Sequence, residues 1–143
     1  MKWGKCDFKQ FKKLAENFEA AIQDQKIDEV LKALLFELAN RVLALTKEKT
    51  PVGIYDTGGR VGGHLRRNWF IGDVKRAGDE LSIEIYNTVE YALFVEYGHR
   101  TRNHKSWVEG RFMLKISMKS IEQMLPKITE QHVKKFLEGL LKV

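Results

Sequence analysis

Residues 87–113 read NTVEYALFVEYGHRTRNHKSWVEGRFM, and the state of this stretch decides how the rest of the chain is put together. Its first third is dense in apolar side chains (Val89, Tyr91, Leu93, Phe94, Val95, Tyr97), with Glu90 and Glu96 set among them and Gly98 closing it. As a strand, 91–97 would be apolar on both faces. As one or two turns of helix, Tyr91, Phe94 and Val95 share a face, and Gly98 stands where a left-handed cap is wanted. We read it as a short helix. A basic stretch follows (His99, Arg100, Arg102, His104, Lys105), then a short extended piece over 107–113.

Toward the C-terminus, Met113, Leu114, Ile116, Met118, Ile121, Met124 and Leu125 suit a buried helix over 111–125. Pro126 predicts an interruption, because it cannot donate the helical hydrogen bond and clashes one turn back. The pattern restarts over 127–141 with Ile128, Val133, Phe136, Leu137, Leu140 and Leu141 on one stripe and an apolar end. Toward the N-terminus, residues 81–86 alternate as a strand, with Leu81, Ile83 and Ile85 inward against Ser82 and Glu84. Residues 65–74 predict its partner strand, with Trp69 and Ile71 alternating against Asn68 and Phe70 across a turn at 76–80. Such a hairpin is marginal alone and must pack on a helix or gain strands from a neighbour.

Residues 52–64 hold Gly53, Gly58, Gly59, Gly62 and Gly63. So glycine-dense a segment reads as a long mobile loop, either functional or a plain connector. It lacks the Gly-Lys-Ser/Thr ending of a phosphate loop. Pro51 closes the helical region before it. That region comprises an amphipathic helix over 8–22, with Asp7 placed to cap it, and a longer one over 28–46 behind Asp28. The second carries the strongest apolar stripe and is expected to be the central core helix. The fold class is therefore α+β in a single domain, 1–143: N-terminal helices including one long core helix, a small antiparallel sheet, C-terminal helices and a long Gly-rich loop.

A chain of 143 residues, 43% hydrophobic, can bury about 68% of its unfolded surface without staples. One cysteine, Cys6, excludes an intramolecular disulfide, and no Cys/His spacing suits zinc. The N-terminus lacks the apolar core of a secretory signal, and no apolar run approaches the ~20 residues of a membrane span. The net charge of +6 is uneven. Arg60, Arg66, Arg67, Lys75 and Arg76 against Asp73 give +4 over 60–76. Arg100, Arg102, Lys105, Arg111, Lys115 and Lys119 against Glu109 give +5 over 99–119. Between them, Glu84, Glu90 and Glu96 give −3 over 81–98. That alternation suits steering of phosphate or of an acidic neighbouring subunit.

Two groups of words in this sequence also resemble a known family. Val89-Glu90-Tyr91-Ala92, then Val95-Glu96-Tyr97-Gly98-His99, a polar loop and Gly110-Arg111-Phe112-Met113-Leu114 form the later group. Thr50-Pro51-Val52, Asp56-Thr57-Gly58 and Leu65-Arg66-Arg67-Asn68-Trp69 form the earlier one, interrupted by residues 53–55 and 59–64. In that order they resemble the signatures of the small head–tail joining proteins of tailed bacteriophages, often labelled tail components, over roughly the last two-thirds of the chain. The resemblance implies a non-enzymatic structural protein of a phage or prophage, made in the bacterial host cytoplasm and built into the virion at the neck or tail end. It implies partners among other neck and tail proteins and copies of itself in a ring, with no cofactor and no small-molecule substrate. The Gly-rich loop is then expected to be poorly ordered in the free subunit and ordered in the particle.

Candidate contact residues are Arg60, Arg66, Arg67, Trp69, Glu90, Glu96, His99, Arg100, Arg102, Lys105 and Arg111. The acidic 81–98 segment facing a neighbour's basic loop is the specific expectation. Two carboxylates such as Glu90 and Glu96 are more often solvated or paired with arginine than catalytic. A metal-dependent nuclease using His99 and His104 would want clustered carboxylates, and none lies between Gly98 and Trp107. The basic loops with Trp69 and Trp107 alongside suit non-specific contact with a DNA backbone, an alternative left open by the residues. Nothing resembles a helix-turn-helix or an aromatic RNA-binding sheet.

Overall fold

The computed structural model describes residues 9–54, 58–59 and 61–142. Asp7 and Cys6, the Asp56-Thr57 pair and Arg60 lie outside the described residues. The chain is mixed helix and small antiparallel sheets, as its pattern predicts. Its contacts fall into two units, Met1–Leu34 with Pro126–Val143 and Leu35–Leu125.

In the first unit, helix α1 (Lys9–Gln23) is followed closely by α2 (Lys26–Lys49), whose first turns belong here. The polar break between them is a two-residue corner in which Gln25 takes a positive φ of 57°. Phe18 meets Phe136 edge-on at 6.3 Å, and the Asn17 side-chain amide donates to the Leu140 carbonyl at 2.5 Å. Ala21, Ile128 and Leu140 are buried around them.

In the second unit, α2 ends and a helical turn, α3 (His64–Arg67), precedes strand β1 (Trp69–Ile71). The strand expected over 65–74 is thus shorter than its pattern. Only Leu65 is apolar in 64–68, so a single anchor is needed there, and Gly63 at φ 91° turns the chain so that Arg67 N–H reaches the Gly63 carbonyl. Strand β1 continues through β2 (Lys75–Ala77), and the chain returns as β3 (Glu80–Ser82) and β4 (Ile85–Asn87). The expected hairpin is present. Its register runs Trp69↔Asn87, Phe70↔Tyr86, Ile71↔Ile85, then Lys75↔Ser82 after Gly72 N–H bonds to the Glu84 carbonyl. Asp73 and Val74 therefore face Ile83 alone, a bulge that bends the ribbon. Gly78, first of the two turn residues, has φ 61°, as a type II′ turn requires.

Helix α4 (Ala92–Tyr97) is the short helix read from the opening stretch. Gly98 at φ 84°, ψ 173° ends it in an extended, glycine-favouring conformation rather than the left-handed cap expected. Strand β5 (Gly98–Arg100) then pairs with β6 (Trp107–Glu109), so the extended piece near 107 has a partner in the basic stretch. A side chain on Gly98 would collide with the Val108 carbonyl, so the hairpin root requires glycine.

Helix α5 (Met113–Leu141) runs through Pro126 without the expected interruption. Glu122, the residue four back whose carbonyl loses its donor, is exposed, so water can satisfy it. The core of the second unit gathers Leu65, Trp69, Ala92 and Met113, with Leu43, Ile85, Val89, Val95 and Leu114 packed against them. Two strands, two short helices, the start of α5 and the end of α2 all contribute to it.

Candidate functional site

Thr50, Leu65 and Trp69 of the earlier word group turn inward. Trp69 is 4% exposed, and its indole N–H donates to the Thr50 hydroxyl at 2.9 Å. Thr50 in turn donates to the Thr46 carbonyl, and Thr46 to that of Val42, so the end of α2 carries a run of satisfied buried hydroxyls. Arg66 donates to the Thr50 carbonyl at 2.8 Å and meets that of Glu48 at 3.4 Å. A cation there complements the partial negative charge of a helix C-terminus. Arg67 donates to the Gly62 carbonyl. The earlier word group is tied to the two residues just before the later one: Asn87 donates to the Leu65 carbonyl at 2.9 Å, and the Thr88 hydroxyl to the Asn68 side-chain oxygen at 3.0 Å. Trp69 therefore has no face to offer a phosphate, and Arg66 has a structural task.

Glu96 departs furthest from expectation. It is 6% exposed, neither solvated nor paired with arginine. Its two carboxylate oxygens accept from the backbone N–H groups of Leu114 at 3.1 Å and Lys115 at 3.0 Å, in the first turn of α5. The backbone carbonyls of Val95 and Glu96 accept from Arg111 and Phe112 just upstream. An anion at the positive end of a helix, bonded to donors the helix leaves free, caps it. The α5 sequence has no acidic residue in its own first turn, and Glu96 supplies the charge from α4. Burial on α4 consequently falls on Ala92 and Glu96; of the residues read as sharing a face, Val95 packs against the core while Tyr91 and Phe94 are exposed.

The remaining candidates among the described residues lie at the surface. Glu90 is exposed. Glu84, the other acid of the 81–98 segment, sits 3.8 Å from Lys75 on the same hairpin. His99 meets the Phe94 ring edge-on at 6.0 Å. Arg100, Arg102, Lys105 and Arg111 are exposed, and none of the four is in an ion pair among the described residues. The 101–106 tip that carries two of them is closed by its own bonds. Thr101 N–H donates to the Ser106 carbonyl at 2.9 Å, the Thr101 hydroxyl accepts from Ser106 N–H, and the Asn103 side-chain oxygen accepts from Lys105 N–H. Among the described residues no group of three or more His, Cys, Asp or Glu could hold a metal ion. Among the described residues no helix is long and apolar enough to cross a membrane.

Sequence reasoning missed an apolar surface. Leu93 is 67% and Tyr97 60% exposed on α4. Between α4 and the β1–β4 ribbon lies a groove of 470 Å³ lined by Trp69, Ile85, Val89, Leu93, Tyr97 and Leu114, among others. A second groove of 440 Å³ shares Glu96, Tyr97 and Leu114 with it and reaches Met118. The signal was in the opening stretch: six residues of helix with apolar side chains all round exceed what one buried face can take.

Comparison with known proteins bears on the same region. No curated protein and no solved structure matches the chain. A family described as "Bacteriophage HK97-gp10, putative tail-component" matches residues 12–98, more than half of the chain, from α1 to the end of α4. It takes in the whole earlier word group and the later one as far as Gly98, and with them Leu65, Trp69 and Ala92 of the second unit's core, while Met113 lies beyond it. By that match the chain belongs to the HK97-gp10-like family of bacteriophage tail components.

Proposed function

We propose that this tail component is a non-enzymatic assembly subunit at the head–tail junction, where copies of it and other neck or tail proteins meet in a ring. The observation that carries the reading is the apolar surface on α4, where Leu93 and Tyr97 stand exposed between two grooves that share Tyr97 and Leu114. Exposed apolar side chains beside apolar grooves are what protein interfaces are made from. Ring closure requires a head-to-tail contact between different surfaces of each copy, and a groove with protruding rims suits such a heterologous contact. The expected electrostatic match between the acidic 81–98 segment and a neighbour's basic loop is weak support, since Glu96 caps α5 and Glu84 lies beside Lys75.

The test is the double substitution Leu93→Asp and Tyr97→Asp in the phage, with electron microscopy of the lysate. Separate heads and tails should accumulate while the variant protein itself remains folded. Normal numbers of joined, infectious particles would overturn the reading, as would infectious tailed particles made without this polypeptide.

A further inference from the structure

We propose that the β5–β6 hairpin is a contact arm for the phosphate backbone of duplex DNA, separate from the apolar surface that serves assembly. Arg100, Arg102 and Lys105 fall within six residues, and no carboxylate lies between residues 97 and 108. All three are exposed and outside any ion pair among the described residues. A positive cluster left uncompensated within its own chain favours an anionic partner.

The arm is prepared for that contact. The bonds among Thr101, Asn103, Lys105 and Ser106 fix the backbone of the tip, so the cations are carried on a set frame and less ordering is needed on binding. Arg100 stands directly across from Trp107, so the two side chains share a face. Trp107 is 53% exposed there and offers a flat ring beside the guanidinium. Such a pair suits a sugar–phosphate ridge, where the ring lies against deoxyribose and the cation meets phosphate oxygens.

The acids of 81–98 argue against that segment of a second copy as the arm's partner. Of the three acids in 81–98, Glu96 is buried under two backbone amides and Glu84 sits beside Lys75, leaving Glu90. Asp79 and Glu80 share a hairpin tip with Lys75 and Arg76, a mixed rather than acidic surface. The 81–98 segment thus offers a neighbour little acidic surface to match the arm. A regular polyanion does match it. The Asn103 side-chain oxygen is already engaged within the tip, which leaves the three cations to make the contact, and their contacts to phosphates carry no sequence information.

The experiment measures fluorescence anisotropy of a labelled random-sequence duplex titrated with the full-length protein over a range of salt. Three phosphate contacts contribute about 2.7 to the slope of log affinity against log salt, or roughly 40-fold between about 50 and 200 mM. Changing Arg100, Arg102 and Lys105 together to Ala should flatten the slope by that amount. The control removes the same charge from α5 (Lys127, Lys134 and Lys135 to Ala) and should leave most of the slope in place. Circular dichroism confirms that both variants fold. An unchanged slope in the hairpin variant, equal losses in both variants, or no duplex binding by the parent protein at low salt would each overturn the proposal. So would loss of self-association without loss of duplex binding, which would assign the arm to a protein neighbour. The assembly reading can fail separately, because the Leu93/Tyr97 variant is expected to bind duplex normally.

Discussion

The second unit contains two hairpins that obey the same local rules and end in opposite circumstances. The first, β1 through β4, turns one face inward through Trp69, Ile71 and Ile85, and sets Phe70 against Tyr86 on its outer face at 5.9 Å. Its Lys75 has Glu84 beside it. The second, β5 and β6, buries only Gly98 at its root, shows both faces to solvent and carries Arg100, Arg102 and Lys105 outside any ion pair among the described residues, with Glu109 as its acid. Antiparallel pairing and a constrained turn are common to both, so neither explains the difference. What separates them is whether a face meets the core. The first hairpin is held by what it packs against, whereas the second leaves its side chains available to something outside the chain.

The comparison breaks most readily at Trp69. Replacing it with Ala removes a buried indole and the donor that the Thr50 hydroxyl accepts from, and should cost about 3–5 kcal/mol in urea unfolding. Trp69→Phe keeps most of the volume and loses the hydrogen bond, for about 1–2 kcal/mol. A loss under about 1 kcal/mol for Trp69→Ala would mean that the first hairpin is no more anchored than the second.

The two glutamates of the opening stretch sharpen the point at lower cost. Glu96→Gln keeps the shape but turns one acceptor into a donor facing a backbone N–H and removes the charge at the start of α5. It should lose about 2 kcal/mol by the same measurement. Glu90→Gln, at an exposed site six residues earlier, should stay within about 0.5 kcal/mol of the parent. Equal effects would remove the distinction between a capping carboxylate and a surface one.

That pair also marks how far the sequence could be read. Elements with a long apolar period, such as α1, α2 and the strand before Tyr86, were legible because many side chains vote for one face. The helix at 92–97 was legible in kind, but its buried face was not. Six residues give too few votes, and the deciding partner, the unfilled first turn of α5, lies 18 residues downstream of Glu96. Leu65 to Asn68 looked like strand because Trp69 and Ile71 alternate beyond them, yet a left-handed Gly63 sets that turn. Pro126 was weighed as a breaker by its chemistry alone, whereas exposure of Glu122 decides whether the freed carbonyl costs anything. Among the candidate contact residues, charge was visible and burial was not. Arg66 and Arg100 read alike in sequence, but one caps α2 and the other stands on a solvated arm.

The smallest expected effect is the most discriminating. Changing Arg100, Arg102 and Lys105 to Ala should move unfolding stability by no more than about 0.5 kcal/mol, since none of the three side chains is in an ion pair among the described residues. The bonds that close the tip come from Thr101, Asn103 and backbone groups, all of which survive the change. If stability fell by more than about 1 kcal/mol, the cations would be holding the hairpin rather than waiting for a partner. The two hairpins would then differ in degree and not in kind. If it stayed flat while duplex affinity dropped, the same three residues would be dispensable to the fold and required for the contact, a separation that the first hairpin cannot show at Trp69.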